Sequence, residues 1–287
     1  ALGGGKSVII GNPQQLRSPE LLTQFANALQ SLNGKYVVAE DVGTTEHDMV
    51  QISKTTSYVA GLPTDHDQSH VSGNPSPVTA LGTFCGIKAC VKHKLNRTDL
   101  DGLHVAIQGL GAVGRALADY LLDAGCRLTI ADINNSNVQS VYIKAPDRVT
   151  IVPTDKILQT ECDILAPCAM GAILNDDTIP QLRTNIIAGA ANNQLKQKQH
   201  DQKLYDAGIL YAPDYAINSG GITSVGYEYF ARTNRNPYPY ELTNANMINH
   251  VHKIEQTLLM IFDISKTQKI PTGQAADQLA ENIFKRP

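Results

Sequence analysis

The chain has no apolar run of transmembrane length, no stretch laid out like a signal peptide, and no cluster of lysine and arginine. The first two absences argue against membrane insertion and secretion. The third, with 24 basic residues against 27 acidic ones and a net charge of −3, leaves no basic field for nucleic acid or an acidic lipid surface. Repeats and low-complexity tracts are also absent. Cysteine is scarce and odd in number: Cys85, Cys90, Cys126, Cys162 and Cys168 make no C-x-x-C pair, so a reducing cytoplasm is the expected setting. There is no initiator methionine. The chain opens on Ala1-Leu2-Gly3-Gly4-Gly5-Lys6, directly ahead of a strand-like run, Ser7-Val8-Ile9-Ile10. Such an unprotected edge is expected in a partial chain with residues ahead of it.

What remains is an ordinary globular composition, 42% hydrophobic and 18% charged over 287 residues, long enough for two sizeable cores. The partner is expected to be a small molecule. The histidine pairs offer no metal site: His66 and His70 lie in a polar segment, and His250 and His252 have strand-like spacing inside a predicted helix, which reads as solvated surface.

The strongest positive signal is His104-Val105-Ala106-Ile107-Gln108 running into Gly109-Leu110-Gly111-Ala112-Val113-Gly114 and then a helix over residues 112–123. Strand, glycine turn and helix in that order form a dinucleotide-binding unit. Gly109 permits the turn, Gly111 admits a pyrophosphate close to the backbone, and Gly114 lets the helix pack on the strand, with Ala112 and Val113 supplying N–H groups at the helix N-terminus. A second apolar run, Arg127-Leu128-Thr129-Ile130-Ala131, ends at Asp132, 23 positions after Gly109. A carboxylate there holds both ribose hydroxyls and repels a 2′-phosphate, so NAD is expected rather than NADP. The alternative is an Asp that only caps the helix starting near Asn134.

The fold expected is α/β: a doubly wound Rossmann-type dinucleotide domain plus a partial α/β domain, followed by C-terminal helices. Residues 1–75 carry a predicted strand at 7–10, a helix opened by Ser18-Pro19-Glu20, strands at 36–39 and 58–60, and a helix over 49–54. Between residues 61 and 77 the composition shifts to His, Asp, Gly, Asn, Ser and Pro, which marks a loop or hinge and a domain boundary. Residues 76–254 form the dinucleotide domain, with further strands near 149–152, 163–166, 186–189 and 209–212 that bring the sheet to six. Helices over 222–232, 240–269 and 272–285 follow, and residues 255–287 are expected to return to the first domain.

Two other residues have weaker local signals. Lys6, at the start of a strand after three glycines, is either a solvated lysine or an amine whose proton is loosened by desolvation. Asp41, at the end of a predicted strand, is either a turn opener or a ligand-facing carboxylate.

In combination these segments resemble the Glu/Leu/Phe/Val amino-acid dehydrogenase superfamily, most nearly its leucine dehydrogenase branch. The resemblance rests on Gly3-Gly4-Gly5-Lys6-Ser7-Val8-Ile9-Ile10, Ala39-Glu40-Asp41-Val42-Gly43-Thr44-Thr45, Ser72-Gly73-Asn74-Pro75-Ser76-Pro77 with Thr79, the 109–114 turn, Ala166-Pro167-Cys168-Ala169, Gly189-Ala190-Ala191-Asn192-Asn193-Gln194, and residues 211–221. It implies that Lys6 is the catalytic lysine and Asp41 its acid/base partner. It also implies that Thr79 and Asn193 lie near the nicotinamide ring and ribose, that Asn218 lines the site, and that Ala39, Ile222 and Val225 shape side-chain selectivity. The implied reaction is reversible oxidative deamination of an L-amino acid to a 2-oxo acid and ammonium by a homo-oligomer. Small and aliphatic residues at positions 39, 222 and 225 suit leucine, isoleucine or valine; an aromatic substrate (phenylalanine or tryptophan) and a catalytically silent NAD-binding subunit are the alternatives. Two departures stand out. The family's carboxylate-binding lysine falls upstream of Gly3, outside this chain, and Ser219 and Ser224 replace the residues usual in leucine dehydrogenases.

Overall fold

The computed structural model describes residues 3–41, 43–63 and 74–285. His66, His70, Ser72 and Gly73, together with most of the predicted 61–77 loop, lie outside them. Along the chain run α1 (Pro13–Leu16), α2 (Pro19–Ser31), α3 (Glu46–Ser53), α4 (Pro75–Leu95), β1 (His104–Gln108), α5 (Ala112–Asp123), β2 (Arg127–Ala131), α6 (Asn135–Tyr142), β3 (Val149–Ile151), β4 (Glu161–Pro167), β5 (Arg183–Ile187), α7 (Gln199–Asp206), β6 (Leu210–Tyr211), α8 (Asp214–Ile217), α9 (Gly220–Arg232), α10 (Asn244–Gln268) and α11 (Thr272–Phe284). No helix among the described residues is long and apolar enough to cross a membrane. The chain divides into two compact units, residues 1–75 with 221–250 and residues 76–220 with 251–287.

The second unit is built on a six-stranded, all-parallel sheet ordered β3-β2-β1-β4-β5-β6. This is the doubly wound order in which β1 sits at the centre and its neighbours run off on either side. Val105, Ala106 and Ile107 on β1 are fully buried, as a strand covered on both faces requires. Ala106, Ala131, Leu165, Ile187 and Tyr211 share one core cluster with Leu174 and Leu204. Helix α5 turns Gly114, Leu117, Ala118, Leu121 and Leu122 inward and leaves Asp123 in solvent. Helix α4 has ten buried residues spread around its girth, so it is a core helix and not an amphipathic surface one.

The first unit has less regular structure. Ser18 accepts from the Leu21 amide and starts α2, whose Leu22, Ala26 and Leu29 pack with Val38, Met49, Ile52 and Val59. The strands expected at 36–39 and 58–60 meet only as a parallel bridge between Val38 and Val59. The strand expected at residues 7–10 does not form: no described segment offers it a ladder, and Val8 and Ile10 are exposed.

The C-terminal region also differs from expectation. Residues 221–250 group with the first unit and residues from 251 on with the second. The cause is polar as well as apolar. Thr272 Oγ1 donates to the Tyr211 carbonyl at 2.7 Å, and the Gln274 amide donates to the buried Asp201 carboxylate of α7 at 3.2 Å, fastening α11 beside β6. Helix α10 starts at Asn244, not at 240, because Thr243 Oγ1 accepts from the Asn246 amide and supplies the cap. His252 is exposed as expected, with its Nδ1 3.3 Å from the Cys85 thiol, whereas His250 is half-buried and its Nδ1 lies 3.3 Å from the Tyr227 hydroxyl.

Asp201 makes stability depend on pH. Burial pushes its carboxyl up to about 6, partly offset by the Gln274 and Gly273 amides. A carboxyl that holds its proton more tightly when folded stabilises the fold at low pH; that contribution is lost as pH rises from about 4 through about 6, leaving a penalty of about 3 kcal/mol above it. Asp201→Asn should therefore gain on the parent across that window and hold a constant lead above it. Melting curves of both proteins from pH 4 to 8 check this; a pH-independent difference would contradict it.

Candidate active site

In the first unit Lys6 reaches Asp41. The glycine ahead of it allows this: a Cβ on Gly5 would lie 2.8 Å from the Tyr36 ring, and Ser7 Oγ is 3.1 Å from the Tyr36 hydroxyl, so the segment lies flat against that ring. The Lys6 ammonium then forms an ion pair with the Asp41 carboxylate. The lysine side chain is 66% exposed and the aspartate 38%, so within this unit the two form an open ion pair.

Asp41 stands on a turn. Its carbonyl accepts from the Thr44 amide at 2.9 Å, and Gly43 takes a positive φ of 85°. Beside it, Glu40 has a carboxyl raised above its ordinary range by burial and by the nearby Glu46 and Asp48 carboxylates. Three further residues bear on this turn and were missed in the sequence: Arg17, Thr44 and the buried Asp48. The Thr45-x-x-Asp48 spacing is a capping box and was readable; Arg17, 26 positions before Gly43, left no local signal.

Two of the three residues expected to shape selectivity come together. Ala39 and Val225 share an apolar cluster with Val37, Ala60, Tyr229, Phe230, Tyr238 and Leu242. Ile222, also on α9, is 61% exposed and lies outside that cluster. Glu228 and Arg232 brace the cluster: Glu228 accepts from the Gly61 amide at 2.8 Å and pairs with Arg232 Nε at 2.6 Å, while Arg232 donates to the Val59 carbonyl.

In the second unit the glycine turn has the predicted form. Gly109 adopts φ +90°, where a Cβ would lie 2.7 Å from that of Ala169. Gly114 is packed so closely on the turn that a Cβ would fall 2.1 Å from the Gly109 carbonyl oxygen. Gly111 faces open space and, as the N-cap of α5, contributes no side-chain acceptor. Ala112 and Val113 open the helix there. Asp132 Oδ2 accepts from the Leu110 amide and Oδ1 from the Asn134 amide at 2.7 Å, so it ties the turn to the end of β2, while Asn134 itself caps α6.

Of the remaining residues, Asn193 and Asn218 stand on loops or at a helix end and Thr79 in helix α4. Asn193 has φ +50° and its carbonyl accepts from the Ala172 amide at 2.7 Å. Behind it, Gln194 is buried, its side-chain amide donating to the Gly189 and Ala191 carbonyls and its backbone amide to Asp214. Asn218 Nδ2 donates to Asn192 Oδ1 at 2.6 Å and to the Ala190 carbonyl. Thr79 lies in the first turns of α4, on which Gly220 rests so closely that a Cβ would be 2.3 Å from the Val78 carbonyl. Gln194 and Asp214 stood in the segments that carry the resemblance, but no role was read for them there.

This unit fits a dinucleotide. The uncapped start of α5 and a Gly111 with no atom within 4 Å of its missing Cβ form a cradle in which an anionic group meets N–H groups and no side chain.

Sheet order and glycine turn together define a Rossmann-type α/β protein. Comparison with known proteins narrows the class. Residues 129–281 match the Glutamate/Leucine/Phenylalanine/Valine dehydrogenase profile, and residues 1–58 match the Glu/Leu/Phe/Val dehydrogenase dimerisation domain. Leucine dehydrogenase of Bacillus subtilis (strain 168) is 42% identical over 99% of this chain and 74% of its own length. Phenylalanine dehydrogenase of Lysinibacillus sphaericus is 38% identical over 98% of this chain and 71% of its own length. The crystal structure of L-tryptophan dehydrogenase from Nostoc punctiforme superposes with a TM-score of 0.75 at 39% identity, covering 93% of this chain and 72% of that one. The chain belongs to the Glu/Leu/Phe/Val dehydrogenase family. It is an amino-acid dehydrogenase, an oxidoreductase acting on CH–NH2 groups of small molecules, in a family whose enzymes are generally NAD(P)-dependent.

Proposed function

We propose that the protein carries out NAD-dependent, reversible oxidative deamination of a branched-chain L-amino acid (leucine, isoleucine or valine) to the 2-oxo acid and ammonium. The observation that carries this reading is the direct pairing of Lys6 with Asp41, in the unit that also holds the apolar cluster of Ala39 and Val225. NAD, when bound, supplies the acceptor for the hydride that leaves Cα. Once its own proton has passed to Asp41 through their contact, Lys6 Nζ takes a proton from the water that attacks the imine carbon, and Asp41 delivers protons to and from the substrate nitrogen.

Asp132 holds the ribose hydroxyls. Each of its oxygens accepts one amide and keeps a second lone pair, and its charge disfavours a 2′-phosphate, which supports NAD over NADP. Thr79, Asn193 and Asn218 line the nicotinamide end. Self-association is supported by the dimerisation-domain match, and a cytoplasmic setting by five free cysteines, four of them buried.

The choice of side chain follows from the cluster around Ala39. A second substrate carboxylate would need a cation, and Arg232, over the Tyr229 ring, is already paired with Glu228. A branched aliphatic group needs only apolar contact. The competing reading is an aromatic amino acid, favoured by the small Ala39 side chain and by relatives that act on phenylalanine and tryptophan. Relative kcat/KM decides between them: leucine should exceed phenylalanine and tryptophan by about tenfold or more, and NAD should exceed NADP by a similar factor. A higher value for either aromatic substrate would replace the branched-chain assignment.

A further inference from the structure

Asp41 sits on irregular backbone, so something must hold its carboxylate where a proton carrier has to be. We propose that Thr44 is a positioning residue for Asp41, and that Arg17 anchors the turn they share. The proposal rests on the reading of Asp41 as the proton carrier.

Thr44 grips both peptide groups of Asp41. Its hydroxyl accepts from the Asp41 amide at 2.9 Å and donates to the Asp41 carbonyl at 2.8 Å, and its own amide donates to that carbonyl at 2.9 Å. Three hydrogen bonds to the two backbone groups of one residue fix the direction in which its side chain leaves the chain. The opposite side of the turn is held from a distance. Arg17 Nη2 donates to the Gly43 carbonyl at 2.7 Å, and its Nε lies 3.4 Å from Oδ2 of Asp48, a carboxylate only 2% exposed. That carboxylate is locked in turn by the Thr45 amide at 2.8 Å and the Thr45 hydroxyl at 3.0 Å, at the capped start of α3.

A continuous set of fixed groups therefore runs from the buried start of α3 through Arg17 and Gly43 to Asp41. Among the described residues Lys6 has no such set of hydrogen bonds. Its exposed side chain ends on a flexible stem, so the register of the pair is set from the aspartate. Neither Thr44 nor Arg17 needs to touch substrate to matter; small displacements of a proton carrier cost rate steeply.

Thr44→Val keeps the branched shape and removes only the hydroxyl, whereas Thr44→Ser keeps the hydroxyl. The valine variant should lower kcat for amino-acid oxidation by about 10- to 100-fold and leave the KM for dinucleotide within about twofold of the parent. The serine variant should recover kcat to within about threefold. Equal impairment in both variants, or an unimpaired valine variant, overturns the proposal. Asp41→Asn, assayed alongside, separates the two ways of failing. If it is inactive while Thr44→Val is fully active, only the positioning role falls; if it is active, the role of Asp41 falls as well. Should Thr44→Val fail to fold, Arg17→Gln tests the same turn from the exposed side: a reduced kcat with unchanged dinucleotide KM supports the proposal, and a parental kcat overturns it.

Discussion

Lys6→Ala lowers kcat for amino-acid oxidation by about 10²- to 10⁴-fold, the span expected for losing a general base, and leaves dinucleotide affinity within about twofold of the parent. The separation of these two effects follows from the architecture. Lys6 pairs with Asp41 in the first unit, while the glycine turn, Asp132 and the Asn193 loop belong to the second. Because the lysine side chain is exposed and rests on a segment without regular structure, its removal leaves no cavity and strands no buried partner. Melting temperature should change little. Initial rates of reduced-nicotinamide formation give kcat, and titration of the dinucleotide gives affinity. A parallel loss of both would make Lys6 a structural residue and take the chemistry away from it.

Gly114→Ala acts on the other unit and on both stability and binding. The new Cβ would lie 2.1 Å from the Gly109 carbonyl oxygen and 3.0 Å from its carbonyl carbon, both backbone atoms of the turn itself. Neither can move without shifting Gly109, which is held at φ +90° and whose amide donates to the Ala131 carbonyl at 2.8 Å. Overpacking of this kind costs about 1–3 kcal/mol, and a displaced turn should weaken the dinucleotide by about 10- to 100-fold. Gly111→Ala is the informative contrast. Its Cβ meets nothing within 4 Å, so stability should hold while the methyl group intrudes where a pyrophosphate would approach. Calorimetric titration with melting curves for both variants checks the pair; a Gly114→Ala protein that binds like its parent would mean that the turn is not the dinucleotide site.

The sheet was readable because its strands are buried on both faces. Val105-Ala106-Ile107 and Leu128-Thr129-Ile130-Ala131 are uninterrupted buried runs, and the glycines between them have steric reasons that a spacing pattern captures. The first unit was harder. Residues 36–39 and 58–60 have strand-like composition, yet they meet at one bridge only, and residues 7–10 have the composition without any described partner. Strand character depends on what lies alongside, which sequence does not state.

The site shows the same division. Lys6 and Asp41 could be named as a pair only through a family resemblance, since the contact that joins them depends on Tyr36 and on Gly5 packed against it. Asp132 carried two readings, ribose carboxylate or helix cap. The structure assigns the cap of α6 to Asn134 and leaves Asp132 bridging the Leu110 and Asn134 amides. Ile222 was named beside Val225 only through the family resemblance, and it is 61% exposed. The bond that fastens α11 beside β6 left no local pattern, because Asp201 lies 73 positions from Gln274.

The most direct test of the account is the initial rate of NAD reduction by L-leucine, with the 2-oxo acid and ammonium measured alongside. The account predicts a leucine-dependent rise in reduced nicotinamide, one equivalent each of 2-oxo acid and ammonium, and loss of the signal in Lys6→Ala without loss of NAD binding. A protein that binds NAD yet shows no leucine-dependent reduction would contradict it.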